Sequence, residues 1–223
     1  YSQSWRLNFT SFNPVTFMNF FAFADIDHAS NAIIHAQNID ENFVRTITPV
    51  NVSGNLSINT NVNAGIPVRK LNSRFSITGR FRSVNNVAIL NDQESDITQL
   101  TLGGSLRYSY EYKDVFDLSL SATMDHQQTD YEFDQPDQTF LNGTYATEAN
   151  VSFLKSYSFN LTFDYLRYNN NSAGFAQAIP LLNMSVSRFL LKNKSGELKF
   201  AVNNLLDRGV GVDQSGNINY PER

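Results

Sequence analysis

The chain has 223 residues, 41% of them hydrophobic and only 17% charged, with a formal net charge of -4, no Cys, and 18 Phe beside 10 Tyr. A chain this aromatic is not disordered, its Lys and Arg form no phosphate-tracking cluster, so nucleic acid is not expected as a partner, and without Cys there is neither a disulfide scaffold nor a thiolate metal site. No stretch approaches the roughly 18–20 continuous apolar residues of a spanning helix; the most apolar run, residues 17–24, is short and contains Asn19.

The elements are read from alternation, since every second side chain of a strand points to the same face. Trp5, Leu7 and Phe9 predict a first strand, and residues 15–24 a less regular second. From Val50, the positions Val52, Gly54, Leu56, Ile58, Thr60 and Val62 are mostly apolar. Asn51, Ser53, Asn55, Ser57, Asn59, Asn61 and Asn63 between them are all polar. The same pattern returns in Phe75, Ile77, Gly79 and Phe81, and in Leu100, Leu102, Gly104, Leu106, Tyr108 and Tyr110. It continues through Phe116, Leu118, Leu120, Ala122 and Met124, and through Tyr145, Thr147, Ala149, Val151 and Phe153. Tyr157, Phe159, Leu161, Phe163 and Tyr165 follow, then Met184 and Val186, then Leu198, Phe200 and Val202. About ten strands result, many of about nine to twelve residues, which is the length of a tilted membrane-spanning strand and exceeds the usual five or six of a globular one.

The connections alternate in length. Short ones fall at Asn13-Pro14 and at residues 69–72, 112–114, 154–156 and 192–196; long polar ones fall at residues 25–42, 85–96, 125–141 and 167–176. Short periplasmic turns alternating with long extracellular loops are the pattern of outer-membrane barrels. Phe12, Phe17, Tyr110, Tyr112, Phe116, Phe153, Tyr157 and Phe159 cluster beside the short turns, where an aromatic girdle at headgroup level is expected. With the short turns on one side, the first strand descends and the tenth ascends, so both chain ends lie outside. More barrel is then expected before Tyr1 and a further strand after Arg223, because an open sheet edge cannot sit unpaired in lipid. No signal peptide is read at the N-terminus, as expected of a mature or excised segment.

Residues 187–207 carry a resemblance. A basic turn with Lys192, Lys194 and Gly196 leads into a strand that closes on Asn204-Leu205-Leu206-Asp207. This resembles the end of the barrel in TonB-dependent-receptor-like outer-membrane proteins, specifically over about residues 184–207 and in architecture alone elsewhere. The resemblance implies an all-β transmembrane antiparallel meander, residues 1–223 forming one incomplete part of a roughly 22-stranded, plugged barrel. The plug, the TonB-contacting segment and the final strand have no counterpart in the 223 residues. It further implies a cell-outer-membrane receptor that binds and imports a nutrient ligand. Its expected partners are outer-membrane lipid, the remaining barrel and plug of the same protein, TonB through that plug, and a surface lipoprotein or other envelope protein. Two other readings make different predictions. A non-transporting structural or interaction barrel would lack the plug, and a soluble β-sandwich or carbohydrate-binding module would stay monomeric without detergent.

Candidate sites are few. Asp25, Asp27, His28 and His35 share the first long connection, but their spacing fits no metal-ligand motif. Asp125, His126, Asp130, Glu132, Asp134 and Asp137 offer hard oxygen atoms, in an order unlike a Ca²⁺ loop. Neither group is expected to hold a metal, and no cofactor motif appears. The Asn-x-Ser/Thr triplets at Asn8, Asn51, Asn55, Asn142, Asn150, Asn160 and Asn183 follow from alternation and are not read as glycosylation sites. Arg6, Arg45, Arg80, Arg107, Arg167 and Arg188 are placed at or near the polar face, where pairing with wall or plug carboxylates is the expected role. No nucleophile stands with a base in a recognisable motif, so an enzyme is not expected. Ligand contacts are expected from the loops at residues 25–42, 85–96 and 125–141.

Overall fold

The computed structural model describes residues 1–132, 136–172, 174–191 and 195–208. Its strands are β1 (Ser2–Phe12), β2 (Asn19–Ala29), β3 (Ala32–Ile39), β4 (Arg45–Val52), β5 (Asn55–Val68), β6 (Ser73–Leu90), β7 (Gln93–Tyr112), β8 (Phe116–Tyr131), β9 (Gln138–Phe153), β10 (Tyr157–Asn170), β11 (Phe175–Leu190) and β12 (Gly196–Val202). All belong to one sheet, whose path is an antiparallel meander in the order β1-β2-β5-β6-β7-β8-β9-β10-β11-β12; the β3–β4 hairpin lies off this path and joins β6 by a parallel bridge. The ten strands of the path are the ten expected from alternation. Among the described residues β1 and β12 are the two edges of the sheet.

Register carries the alternation from strand to strand. Ile77 stands opposite Leu106, Leu106 opposite Ala122, Ala122 opposite Tyr145 and Tyr145 opposite Tyr165, so an apolar row crosses five strands. The adjacent row, Thr78, Ser105, Thr123 and Thr144, is polar. A slip of one residue in any pair would invert this assignment, so the two faces fix the register. The apolar face is not covered by protein: Leu106 keeps 49% and Phe200 73% of its surface exposed.

Several boundaries differ from the sequence reading. Val15 lies in the turn that precedes β2, where Asn13 Oδ1 accepts from the Val15 and Thr16 amides at 2.9 and 3.1 Å. The apparently continuous strand from Val50 is two strands, because Gly54 adopts φ +106° and turns the chain. Val50 and Val52 belong to β4 opposite Ile34 and Ala32, and β5 starts at Asn55. The alternation survives the Ser53-Gly54 turn, which is why periodicity alone does not reveal it.

The four long connections are largely strand. β6 and β7 have 18 and 20 residues and pair throughout, up to Leu90 opposite Gln93. The loop read at residues 85–96 is therefore a hairpin tip, Asn91 and Asp92 at φ 49° and 62°, a primed two-residue turn that matches strand twist. Likewise β8 runs to Tyr131 and β10 to Asn170, and residues 25–42 hold the end of β2 and all of β3. A backbone ladder does not require apolar side chains, so polar sequence conceals strand outside the membrane. Since about nine to eleven residues suffice to span, these strands project into water on the side of the long connections.

In water, projecting hairpins must bury their own apolar groups. The buried apolar residues Val84, Val87, Ala88, Ile97, Tyr131, Phe140 and Ile179 lie in these extensions, Ile97 and Ile179 at 2% exposure. The β3–β4 hairpin is fastened beside them. Gln37 bridges to Leu90, the Asn91 amide donates to the Gln37 carbonyl at 2.8 Å, and the Ile39 amide donates to Asn91 Oδ1 at 2.8 Å.

The face assignment has a direct test. Leu106→Arg places a charge on the apolar face and is expected to cost about 2–4 kcal/mol in a bilayer, whereas Ser105→Arg on the other face costs far less. Urea unfolding of the intact protein in lipid measures both, and equal costs would contradict the assignment.

Candidate functional site

The polar face is held by arginines that reach across a whole strand. Arg80 on β6 meets Asp125 on β8, Nη2 to Oδ1 at 2.7 Å, and Gly103 of β7 stands between them in register. A Cβ at Gly103 would collide with Asp125 Oδ1 and stand 3.1 Å from Arg80 Nε. Glycine is required there for close approach rather than for backbone freedom. Arg74 on β6 repeats the device, donating to Asn19 Oδ1 on β2 at 2.7 Å over Gly65. Arg107 on β7 reaches Glu148 on β9 at 3.6 Å, its Nε donating to Ser119 Oγ of the intervening β8 at 2.8 Å. Arg6 and Asp25 pair directly between β1 and β2 at 3.3 Å.

Below these bridges, toward the short turns, the wall forms an open groove of about 910 Å³ lined by Arg69, Arg74, Arg107, Glu111, Asp117 and Glu148 among others. Glu111 and Asp117 are direct register partners on the polar face. Both are exposed, and among the described residues neither has an ion-pair partner. Like charges directly opposite each other destabilise a sheet. A smaller recess of about 270 Å³ continues upward between Arg107, Glu148 and Asp164.

Of the six arginines placed at the polar face by sequence, Arg6, Arg80 and Arg107 are there, each with a carboxylate. Arg167 and Arg188 are not. Arg167 shares the parity of Phe163 and Tyr165, and Arg188 that of Met184 and Val186. Near the ends of a span a long cationic side chain reaches the interface from the lipid side, so a charge need not face the lumen. Arg45 lies on the β3–β4 hairpin. Arg74 and Arg82, which sequence reading passed over, have the same parity as Arg80 and could have been found by counting from it.

The acidic candidates do not converge. Asp25 is held by Arg6, Asp27 Oδ1 accepts from Ser4 Oγ at 2.6 Å, His28 has the opposite parity, and His35 is on β3. Asp125 is held by Arg80, and His126 stands opposite Leu102 with apolar-face parity. Asp130 accepts from Gln128, Glu132 from the Asp96 amide and Asp137 from the Tyr131 amide; Asp134 lies outside the described residues. Among the described residues no three His, Asp or Glu gather as metal ligands. Asn150 and Asn160 bond each other at 2.7 Å, and Asn183 Oδ1 accepts from the Asn204 amide at 2.8 Å, so these asparagines act within the sheet. Burial raises the Tyr131 phenol above its ordinary pKa, so the ring stays neutral inside the hairpin core.

An antiparallel meander with one lipid-compatible face, one polar face and ring pairs beside its short turns defines a membrane-spanning β-sheet of the outer-membrane kind. Those pairs include Phe12 with Phe17, Tyr110 with Phe116 and Phe153 with Tyr157 at 6.0, 6.1 and 5.5 Å between centroids. Residues 75–220 match the family described as outer membrane protein beta-barrel family, and the chain belongs to that family, as a multi-pass protein of the cell outer membrane. No curated protein matches the chain.

Replacing a strand glycine by valine ordinarily favours the strand. At Gly103 the reverse is expected: Gly103→Val should destabilise the intact protein and displace Asp125. In an Arg80→Ala/Asp125→Ala background the same change should become neutral or stabilising. A double-mutant cycle from chemical unfolding measures the coupling, and additivity would show that Gly103 does not serve the bridge. The bridge itself is half-exposed, so its own loss is worth about 1 kcal/mol or less.

Proposed function

We propose that the chain forms part of the wall of a TonB-dependent-receptor-like barrel, a non-enzymatic receptor that binds a nutrient ligand outside and passes it across the outer membrane. The observation that supports this most is the charged groove on the polar face, where Glu111 and Asp117 oppose each other and, among the described residues, neither is ion-paired. A basic segment seated inside the barrel would relieve that repulsion, and a plug of the same protein would supply one. TonB would act on the wall only through it. The edges at β1 and β12 each present a row of backbone groups that hydrocarbon cannot solvate. Further strands of the same protein would pair with them and complete the barrel.

The projecting hairpins would meet the ligand first. They carry their own buried core and the Asn91 fastening, so they would present a shaped surface to a ligand or to a lipoprotein lying over the barrel.

Two measurements on the intact protein test this reading. Glu111→Lys with Asp117→Lys should loosen the plug and turn a protein with little steady conductance in planar bilayers into an open channel. Deletion of the gene and deletion of TonB should abolish growth on the same nutrient. If the gene deletion leaves every nutrient of a broad panel usable while the outer membrane loses integrity, the chain is a structural wall and the transport reading fails.

A further inference from the structure

Charge is sorted between the two ends of the sheet by residue type. Lys70, Lys113 and Lys155 stand exposed in the connections after β5, β7 and β9. Lys192 and Lys194 follow β11 in sequence, outside the described residues. The turns at the opposite end hold no lysine and are acidic, with Asp40 and Glu41 at one tip and Asp92 at another. Within the described residues of the short connections, Asp114 is the one acid.

Three cations at this end lie against rings. Arg69 stands 4.4 Å from the centroid of Phe17, Lys113 5.1 Å from Tyr112 and Arg188 5.5 Å from Tyr157. Tyr112, Tyr157 and Arg188 have the parity of the apolar face, while the acids of the same end, Glu111 and Asp117, have the parity of the polar face. Arg188 and its ring therefore stand on the lipid side, while Arg69 and Lys113, at the turns themselves, also border the polar-face groove. Lysine recurs in the three consecutive short connections after β5, β7 and β9, every two strands or roughly 10 Å, which makes a belt along the rim rather than a patch.

We infer that this rim binds the phosphate groups of anionic phospholipids in the leaflet around it. Rings at the level of the headgroups steady Arg69, Lys113 and Arg188, and an exposed ammonium offers donors to a phosphate oxygen. A belt spread along consecutive hairpins fits a continuous lipid layer, whereas one folded protein partner would need its contacts gathered in one place.

The test uses the intact protein, delipidated in an uncharged detergent and titrated with phosphatidylglycerol, phosphatidylcholine or soluble glycerol 1-phosphate, with bound lipid and thermal unfolding as readouts. Phosphatidylglycerol is expected to bind saturably and raise the unfolding temperature, the other two having little effect, and high salt should remove the difference. Each Lys→Gln change at Lys70, Lys113 or Lys155 should weaken the phosphatidylglycerol response about five-fold. Arg45→Gln on the far hairpin should leave it unchanged. Equal responses to the two lipids, or a response to phosphatidylglycerol that survives loss of all three lysines, would overturn the inference. Should the triple variant fail to fold, the exposed single variants Lys113→Gln and Lys155→Gln decide it. A response to soluble phosphate of the same size would assign the rim to free anions instead of lipid.

Discussion

A peptide group in hydrocarbon has no water to bond, and every N–H and C=O of the span must find its partner in the protein. The rest of this molecule answers to that constraint. It selects strands over loops in the membrane, keeps the ladder continuous from β1 to β12, and fixes register so that the apolar face never rotates inward. With the backbone satisfied by neighbours, side chains are left to sort by solvent alone: Leu, Phe and Tyr toward lipid, Asn, Ser and Thr toward the interior.

The polar face shows what a sheet does when it cannot pack a core. Its cohesion comes from side chains that reach over a neighbouring strand, and each long reach passes above a small residue: Gly65 beneath Arg74, Gly103 beneath Arg80, Ser119 beneath Arg107. Two strands in register stand about 10 Å apart across an intervening one, a span that an arginine covers only if nothing rises between. Exposed pairs of this kind add little stability each, so their value lies in holding register and in setting where unpaired carboxylates remain. Outside the membrane the logic reverses, and Ala88, Ile97 and Tyr131 form a small conventional core within the projecting hairpins.

The ten-strand meander, the membrane-facing parity and the short turns were legible because alternation is imposed residue by residue and needs no knowledge of distant partners. Sequence reading failed where the same periodicity ran through a turn, at Ser53-Gly54, and where strands continued into polar sequence, as in β6 and β7. In both cases the missing information was the partner: pairing, unlike polarity, is not written locally. Arg167 and Arg188 were misplaced for a related reason, since charge was read as a sign of the interior at positions where strand ends meet the interface.

By itself, then, the sequence determined the class of protein, the strand count along the path and which residues share a face, because a strand's two-residue period maps directly onto two solvents. The tertiary structure alone decided which arginine meets which carboxylate, that Glu111 and Asp117 confront each other, and that the β3–β4 hairpin is fastened to Asn91. Those facts depend on register between strands far apart in the chain, and register is a property of paired backbones that no single strand contains.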